Sequence, residues 1–312
     1  MRTEGPLLHI GYHKTGSSWL QKCVFENAKA GFSRVRGLKK LSLVEANPFD
    51  FEARKVSKKI EPRIREAQAR NLVPVLSRER LSGNPHSGGY DSKIIADRLA
   101  AVFPTARVLV VIREQISMLV SVYKQYIQIG GAATFQQYVT RPSVPPRIPL
   151  FRFDFFEYHR LISYYQDLFG ATNVLVLPYE LLRTQPEKFL EQIGEFLDVP
   201  AIHSDGRWQN VSASALTLSL KRHANRYVVL DSVNPAPPFA VPGSNEILLR
   251  TCRRVDTKIP VALRDRYERR WREYAEREVG TRYAESNALT EKLTNLDLRA
   301  FGYACGQADL QS

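Results

Sequence analysis

Cysteine is scarce in this chain, and long apolar runs are missing. The three cysteines among its 312 residues are Cys23, Cys252 and Cys305, too few and too dispersed for a disulfide framework or a zinc site. No segment approaches the length of a membrane span, and no apolar leader stands before the first expected strand. We therefore expect a cytoplasmic protein with reduced thiols and without an integral membrane segment.

Acidic residues are outnumbered by basic ones. The chain has 45 Lys and Arg against 32 Asp and Glu, a net charge of +13, which favours anionic partners through long-range attraction. The basic residues are scattered as singles and pairs, such as Lys39-Lys40 and Arg253-Arg254, rather than gathered in a tail. That distribution is typical of a solvated surface, so we expect no nucleic acid as a partner.

Short apolar runs alternate with helical patterns along the chain. Strands are predicted at 7–10, 72–77, 107–112 and 173–177. The run at 107–112 is apolar almost throughout, as in a central strand of a parallel sheet. Helices predicted between the strands indicate an α/β fold, a doubly wound and mostly parallel sheet flanked by helices. We expect a single domain over residues 1–312.

Three further expectations concern irregular parts of the chain. Residues 31–51 show no clear period and are interpreted as a surface excursion. Pro62 interrupts a helical pattern over 52–70 and predicts a break or kink there. Residues 200–255 carry prolines at 235, 237, 238 and 242, and we expect this segment to be a lid or an acceptor-side region.

The most informative stretch runs from Gly11 to Ser18, between the first strand and a helix predicted over 17–29. A helix N-terminus presents unpaired backbone N–H groups and partial positive charge, so a loop entering it can wrap an anion. Gly11 and Gly16 allow close backbone approach, and Lys14 adds a full charge. The stretch therefore predicts a loop that cradles a phosphate or a similar group.

The order of residues narrows the choice of anion. In nucleotide triphosphatases the lysine follows the last glycine, whereas here Lys14 precedes Gly16. The sequence Lys-Thr-Gly-Ser-Ser-Trp-Leu resembles the first motif of the sulfotransferase family, which binds the phosphosulfate of 3′-phosphoadenosine 5′-phosphosulfate (PAPS). The resemblance implies a P-loop-like sulfotransferase fold. It also implies that these residues bind PAPS: His13, Lys14, Thr15, Gly16, Ser17 and Ser18.

A second motif follows the strand at 107–112. Arg113, Ser121 and Tyr123 are similar to the family's 3′-phosphate motif of Arg, seven residues, Ser, one residue and Tyr. Family members often have a proline and an acid where this chain has Gln115 and Ser117. The family's Arg-Lys-Gly loop for the same phosphate is absent in that form. Its place is expected to be taken by Arg207 or Lys221.

A catalytic base is expected at the end of the strand at 72–77, on the same sheet edge. Glu79 is similar in position to the glutamate base of heparan-type sulfotransferases. His86 is the alternative candidate for the base, because cytosolic phenol and steroid sulfotransferases use a histidine in this region. Glu79 could instead be a surface glutamate paired with Arg78 or Arg80. Lys14 is expected to neutralise charge on the leaving group.

Together these motifs predict a PAPS-dependent sulfotransferase that forms 3′-phosphoadenosine 5′-phosphate (PAP) and requires no metal. Its acceptor is expected to be a hydroxyl, or an amine, of a carbohydrate, with a glutamate base. A phenolic, tyrosyl or small-metabolite acceptor with a histidine base is the alternative. More remote alternatives are a P-loop kinase and a non-catalytic polyanion-binding protein. The sequence leaves the oligomeric state open.

Overall fold

A computed structural model describes residues 5–37, 43–140, 142, 149–200, 202 and 213–306. Five strands of these residues form one sheet in the order β2-β3-β1-β4-β5, and every neighbouring pair is parallel. The strands are β1 Leu7–His9, β2 Phe32–Arg34, β3 Val73–Ser77, β4 Arg107–Ile112 and β5 Val174–Pro178. The expected α/β fold with a mostly parallel sheet flanked by helices is confirmed.

Helices connect and follow the strands. Their bounds are α1 Ser17–Trp19, continued by a π-helix Leu20–Phe25, α2 Ala53–Ala69, α3 Ser92–Val102, α4 Gln115–Gln128, α5 Phe135–Val139, α6 Tyr158–Phe169, α7 Tyr179–Thr184, α8 Pro186–Leu197, α9 Ala215–Val228, α10 Ser244–Asp256, α11 Val261–Val279 and α12 Ala284–Thr294. Across the described residues, the helices are too short or too polar to span a membrane.

The chain divides into two compact units. The first consists of Met1–Glu114, Asp154–Trp208 and Tyr283–Ser312, and it contains the whole sheet. The second consists of Gln115–Phe153 and Gln209–Arg282, and it contains α4, α5, α9, α10 and α11. Helices α9 and α10 fall in the segment that was expected to act as a lid or an acceptor-side region.

The core of the first unit explains why these residues form a sheet. Strand β4 buries all its residues except Arg107, as expected of a central parallel strand. Helix α8 carries its apolar residues at helical spacing and buries Phe189, Leu190, Ile193 and Leu197 in the same cluster as residues of β1, β3 and β4. Burial of these side chains supplies the main stabilisation of the sheet.

The strand register fixes where the site must lie. His9 at the end of β1 pairs with Ser77 at the end of β3 and with Leu109 of β4. Because the strands are parallel, the loops that follow β1 and β3 leave the sheet at the same edge. Ligands of open α/β sheets bind at that edge.

Three local expectations differ from the structure. Residues 31–51 contain β2, whose three residues are too few to give a strand pattern and which forms by pairing with β3. The first helix ends at Phe25 rather than 29. Helix α2 passes through the exposed Pro62 without ending, because Val56, Ile60 and Ala67 are buried on either side of it.

Candidate active site at the carboxyl edge of the sheet

The loop between β1 and α1 is a tight turn with two residues in the left-handed region. Gly16 has φ 83°, and Lys14 has φ 65°, an uncommon value for a residue with a side chain. The Thr15 hydroxyl closes the turn by donating to the Tyr12 carbonyl oxygen at 2.5 Å. Gly11 must lack a side chain, because a Cβ there would lie 2.8 Å from His9 Nε2.

The helix that follows the loop begins with free donors. The Trp19 and Leu20 N–H groups both donate to the Gly16 carbonyl oxygen, at 2.9 and 3.1 Å. The N–H groups of the residues before them have no acceptor within the helix, as at any helix N-terminus. The loop therefore offers backbone donors and the positive end of the helix to an anion.

Two buried side-chain atoms of the loop have no hydrogen-bond partner among the described residues. They are His13 Nδ1 and Ser17 Oγ, on side chains that are 5% and 1% exposed. Buried polar atoms are nearly always bonded, since leaving one unbonded costs about 1–3 kcal/mol. The loop thus has polar groups that a ligand could satisfy. Ser18, in contrast, is exposed.

Arg113 supports the loop from the end of β4. Its Nη1 donates to the Lys14 carbonyl oxygen at 2.9 Å, and its guanidinium lies 4.8 Å from the Tyr179 ring centroid. The Arg113 carbonyl oxygen in turn accepts from the Tyr158 hydroxyl at 2.5 Å. Arg113 therefore holds the Lys14 backbone in its left-handed conformation, a contact that its motif did not predict.

The loop after β3 carries the two candidate bases. Glu79 begins a short 3₁₀ turn, Glu79–Ser82, and His86 lies in the next, Pro85–Ser87. Arg80 donates through Nη2 to Asp91 at 2.7 Å, while the other Asp91 oxygen accepts from the Asn84 N–H at 3.2 Å. Asp91 thus fixes the path of this loop rather than capping α3 with its side chain.

The neighbours of Glu79 bind other acids. Arg78 forms an ion pair with Glu45 at 2.5 Å, and Arg80 pairs with Asp91. Within the described part of the chain, the Glu79 carboxylate has no ion pair with either arginine. Burial raises the pKa of Glu79, and the positive charge of Lys14 opposes that rise. Lys14 and Glu79 therefore lie close enough to interact electrostatically.

Burial moves the two candidate bases in opposite directions. It lowers the pKa of His86 to about 4, with a further contribution from Arg80. A general base works best when its pKa lies near the working pH. Burial moves the pKa of Glu79 up towards neutral pH and the pKa of His86 down, away from neutral pH. These shifts favour Glu79 as the base.

His13 is neutral at physiological pH. Its pKa is lowered to about 3, mainly by burial, with smaller contributions from the nearby His86, Arg80 and Lys14. Since those contributions depend on proximity, the structure brings together the loops after β1 and β3. A neutral imidazole carries one N–H, so His13 can donate a single hydrogen bond to a bound anion.

Other predicted site residues lie in the second unit or outside the described residues. Ser121 lies in α4 of the second unit and Arg113 in the first, and their shared contact with a 3′-phosphate stays a prediction. Arg207 lies outside the described residues. Lys221 is unsuited to bind phosphate, because it is buried and its Nζ donates to Ile127 O, Asn225 Oδ1 and Asn245 Oδ1.

Several supporting residues were missed because their partners are distant in sequence. Tyr158 contacts Arg113 from 45 residues away. Glu180 accepts from the Glu114 N–H and from the Tyr303 hydroxyl, both at 3.1 Å, and so fixes the end of β4. The Tyr179-Glu180 pair directly after β5 gives no local sign of these contacts.

The model of a known protein family matches part of the chain. Residues 94–204 match the model of the sulfotransferase family. This match agrees with the sulfotransferase resemblance expected from the sequence motifs. The segment contains Arg113, β4 and β5. A comparison with curated proteins finds no match.

Solved sulfotransferase structures show distant similarity. A sulfotransferase from Alicyclobacillus acidocaldarius is 16% identical with a TM-score of 0.47, covering 70% of this chain and 94% of that chain. The sulfotransferase domain of the Synechococcus PCC 7002 olefin synthase is 14% identical with a TM-score of 0.36, covering 80% and 94%. The sulfotransferase domain from the curacin biosynthetic pathway is 15% identical with a TM-score of 0.35, covering 64% and 76%.

Metal-ligating side chains are dispersed. Within the described residues, no three His, Cys, Asp or Glu side chains are grouped so that they could hold a metal ion.

Proposed function

We propose that this chain is a PAPS-dependent sulfotransferase that transfers the sulfuryl group to a hydroxyl of a carbohydrate. The observation that carries the proposal is the loop from Gly11 to Ser18, where buried His13 Nδ1 and Ser17 Oγ, beside the Lys14 charge, have no hydrogen-bond partner among the residues that the structure describes. PAPS, when bound, supplies the activated sulfuryl group and a nucleotide leaving group.

The residues of the loop fit the phosphosulfate. Ser17 Oγ and His13 would donate to its oxygens, and the first N–H groups of the helix would add backbone donors. Thr15 contributes mainly by shaping the turn, since its hydroxyl already donates to Tyr12. Arg113 and Ser121 are proposed to hold the 3′-phosphate, with Arg113 also fixing Lys14.

Two side chains carry the chemistry in this proposal. Glu79 takes the proton from the acceptor hydroxyl as that oxygen attacks sulfur, and its raised pKa makes it a stronger base than an exposed carboxylate. Lys14 stabilises the negative charge that develops on the bridging oxygen of the leaving group. The electrostatic contact between Lys14 and Glu79 supports their acting at one centre.

Calorimetry can test the donor specificity. We expect tight, metal-independent binding of PAP, and weak or no binding of ATP·Mg²⁺ and heparin. Ser17→Ala should weaken PAP binding by about tenfold, because a hydrogen bond to a charged group is worth about 1.5–3 kcal/mol. Thr172→Ala, which removes an exposed hydroxyl outside the loop, is the control. Absence of PAP binding to the wild type would refute the proposal.

The acceptor can be tested with labelled PAPS. Transfer to an oligosaccharide panel, abolished by Glu79→Gln, is the expected result. Transfer confined to phenols or tyrosyl peptides and abolished by His86→Ala would instead favour the histidine-base alternative.

A further inference from the structure

Five large apolar side chains are exposed together in the second unit. Phe239 is 71% and Ile247 is 62% exposed, although most side chains of this size are buried elsewhere in the chain. Large exposed apolar patches mark interaction sites. The apolar patch, as we call it, consists of Tyr227, Leu230, Phe239, Val241 and Ile247.

Hydrogen bonds bring the members of the patch together. The Phe239 N–H donates to the Tyr227 carbonyl oxygen at 3.0 Å, and the Val241 N–H donates to Val228 O at 2.9 Å. The segment 239–241 therefore runs beside the last turn of α9. The Ser244 hydroxyl also donates to Val228 O at 2.9 Å, which joins the start of α10, and with it Ile247, to the same place.

The loop that carries the patch is held in shape. Asp231 and Asn234 exchange backbone hydrogen bonds at 2.9 and 3.1 Å. The Asn234 side-chain amide donates to the carbonyl oxygens of Asn225 and Val229 at 2.8 and 2.7 Å. Prolines at 235, 237, 238 and 242 limit its backbone freedom. The apolar side chains are thus presented by an ordered loop.

Three exposed arginines lie on the two helices, α9 and α10, that carry Tyr227 and Ile247. Arg226 precedes Tyr227 on α9, while Arg250 and Arg254 lie three and seven residues after Ile247, on the same face of α10. None of the three forms an ion pair with a described residue. Over 226–254 the acids are Asp231 and Glu246, against four arginines.

We propose that the apolar patch and these arginines dock the protein on a membrane surface containing anionic lipids. Apolar side chains enter the boundary between headgroups and acyl chains, and arginines bind lipid phosphates. A second copy of the chain fits less well, because a two-fold contact would bring the same arginines of both copies together. The proposal is independent of sulfuryl transfer.

Vesicle co-sedimentation of the full chain tests the proposal. Binding to phosphatidylcholine vesicles with about 30 mol% phosphatidylglycerol should exceed binding to pure phosphatidylcholine, and should weaken as salt rises from about 0.1 M to about 1 M. Equal binding to both vesicles, or to neither, would overturn the proposal.

Matched variants separate the patch from general surface properties. Phe239→Ser should reduce vesicle affinity by about tenfold, whereas Phe49→Ser, at a 98% exposed phenylalanine of the first unit, should not. Arg250→Glu should likewise weaken binding more than Arg183→Glu, another exposed arginine without an ion pair among the described residues. Thermal unfolding of each variant checks that it is folded.

Two results would contradict docking of the patch on a membrane surface. One is equal vesicle binding by Phe239→Ser and Phe49→Ser. The other is a wild-type dimer that sedimentation shows to become monomeric in Phe239→Ser while vesicle binding is unchanged. The second result would assign the patch to self-association.

Discussion

Lys221 in the second unit and the loop Gly11–Ser18 in the first unit differ in whether their buried polar side-chain atoms are hydrogen-bonded. Lys221 is 2% exposed, and its ammonium donates to three acceptors at 2.7 to 3.0 Å. In the first unit, His13 and Ser17 are 5% and 1% exposed, and His13 Nδ1 and Ser17 Oγ have no hydrogen-bond partner among the described residues. A bonded group such as Lys221 stabilises the fold, whereas two unbonded groups beside a lysine and a helix N-terminus are groups that a bound anion could satisfy.

A second contrast lies within the second unit itself. Asp256 accepts from the Ser214 N–H and hydroxyl and from the Thr217 hydroxyl, so it caps the start of α9. The cluster resembles a site in composition, with serine, threonine and an acid close together, yet each hydroxyl is already bonded. Composition alone therefore does not distinguish a structural cluster from a functional one. Here the hydrogen bonds made by each hydroxyl indicate a structural cluster.

The largest expected effect is at Lys14. Lys14→Ala should lower turnover with labelled PAPS by about 10³-fold, because loss of one group that stabilises transition-state charge costs about that factor. Lys22→Ala, at an exposed lysine in the following helix, serves as the control and should leave turnover unchanged. Near-normal turnover of Lys14→Ala would show that the unbonded polar atoms of the loop, His13 Nδ1 and Ser17 Oγ, do not belong to the catalytic centre.

Glu79 should give the next largest effect. Glu79→Gln should reduce turnover by about 10²-fold and leave PAP affinity unchanged or slightly tighter, since a negative charge near the donor site is lost. In the wild type, turnover should rise with pH as Glu79 loses its proton. The midpoint should lie above the usual carboxyl pKa, because burial raises the pKa of Glu79.

His86→Ala is the matched test of the base. It should retain most of the turnover and the same rise with pH. If His86→Ala removes the rise and Glu79→Gln keeps it, the histidine is the base, in spite of the burial that lowers its pKa to about 4.

A substitution at Lys221 tests whether this buried and fully hydrogen-bonded lysine has a structural role. Lys221→Met should lower the free energy of unfolding by about 2 kcal/mol, because the amide oxygens of Asn225 and Asn245 lose a buried donor. PAP affinity should not change. Chemical denaturation and calorimetry measure the two quantities, with Lys258→Met, at an exposed lysine, as the control. Weakened PAP binding at unchanged stability would return Lys221 to the nucleotide site.

The sequence predicted the parts of the fold and site that depend on local pattern. The turn at Gly11–Ser18 and the strand at 107–112 follow from spacing and composition within a few residues, and both are present. β2 was not predictable, since its three residues form a strand only by pairing with β3. The Arg80–Asp91 pair and the Arg113 contact with Lys14 also join residues that the fold alone brings together.

The smallest expected effect concerns His13 and acid pH. Its folded pKa of about 3 lies below the unfolded value near 6.5, so its contribution to stability is present above pH 6.5 and is lost as pH falls below it. Between pH 7 and 5.5 the wild type should lose about 1 kcal/mol more than His13→Gln. His223→Gln, at an exposed histidine, should behave as the wild type.

Saturating PAP should reduce that difference between the wild type and His13→Gln. A bound anion favours the protonated imidazole and so raises the folded pKa of His13 towards the unfolded value. The wild type then loses less stability between pH 7 and 5.5, and this loss is the acid penalty. Denaturation at both pH values, with and without PAP, measures the change. An acid penalty that is the same with and without PAP would mean that His13 is a buried core histidine that the ligand does not reach.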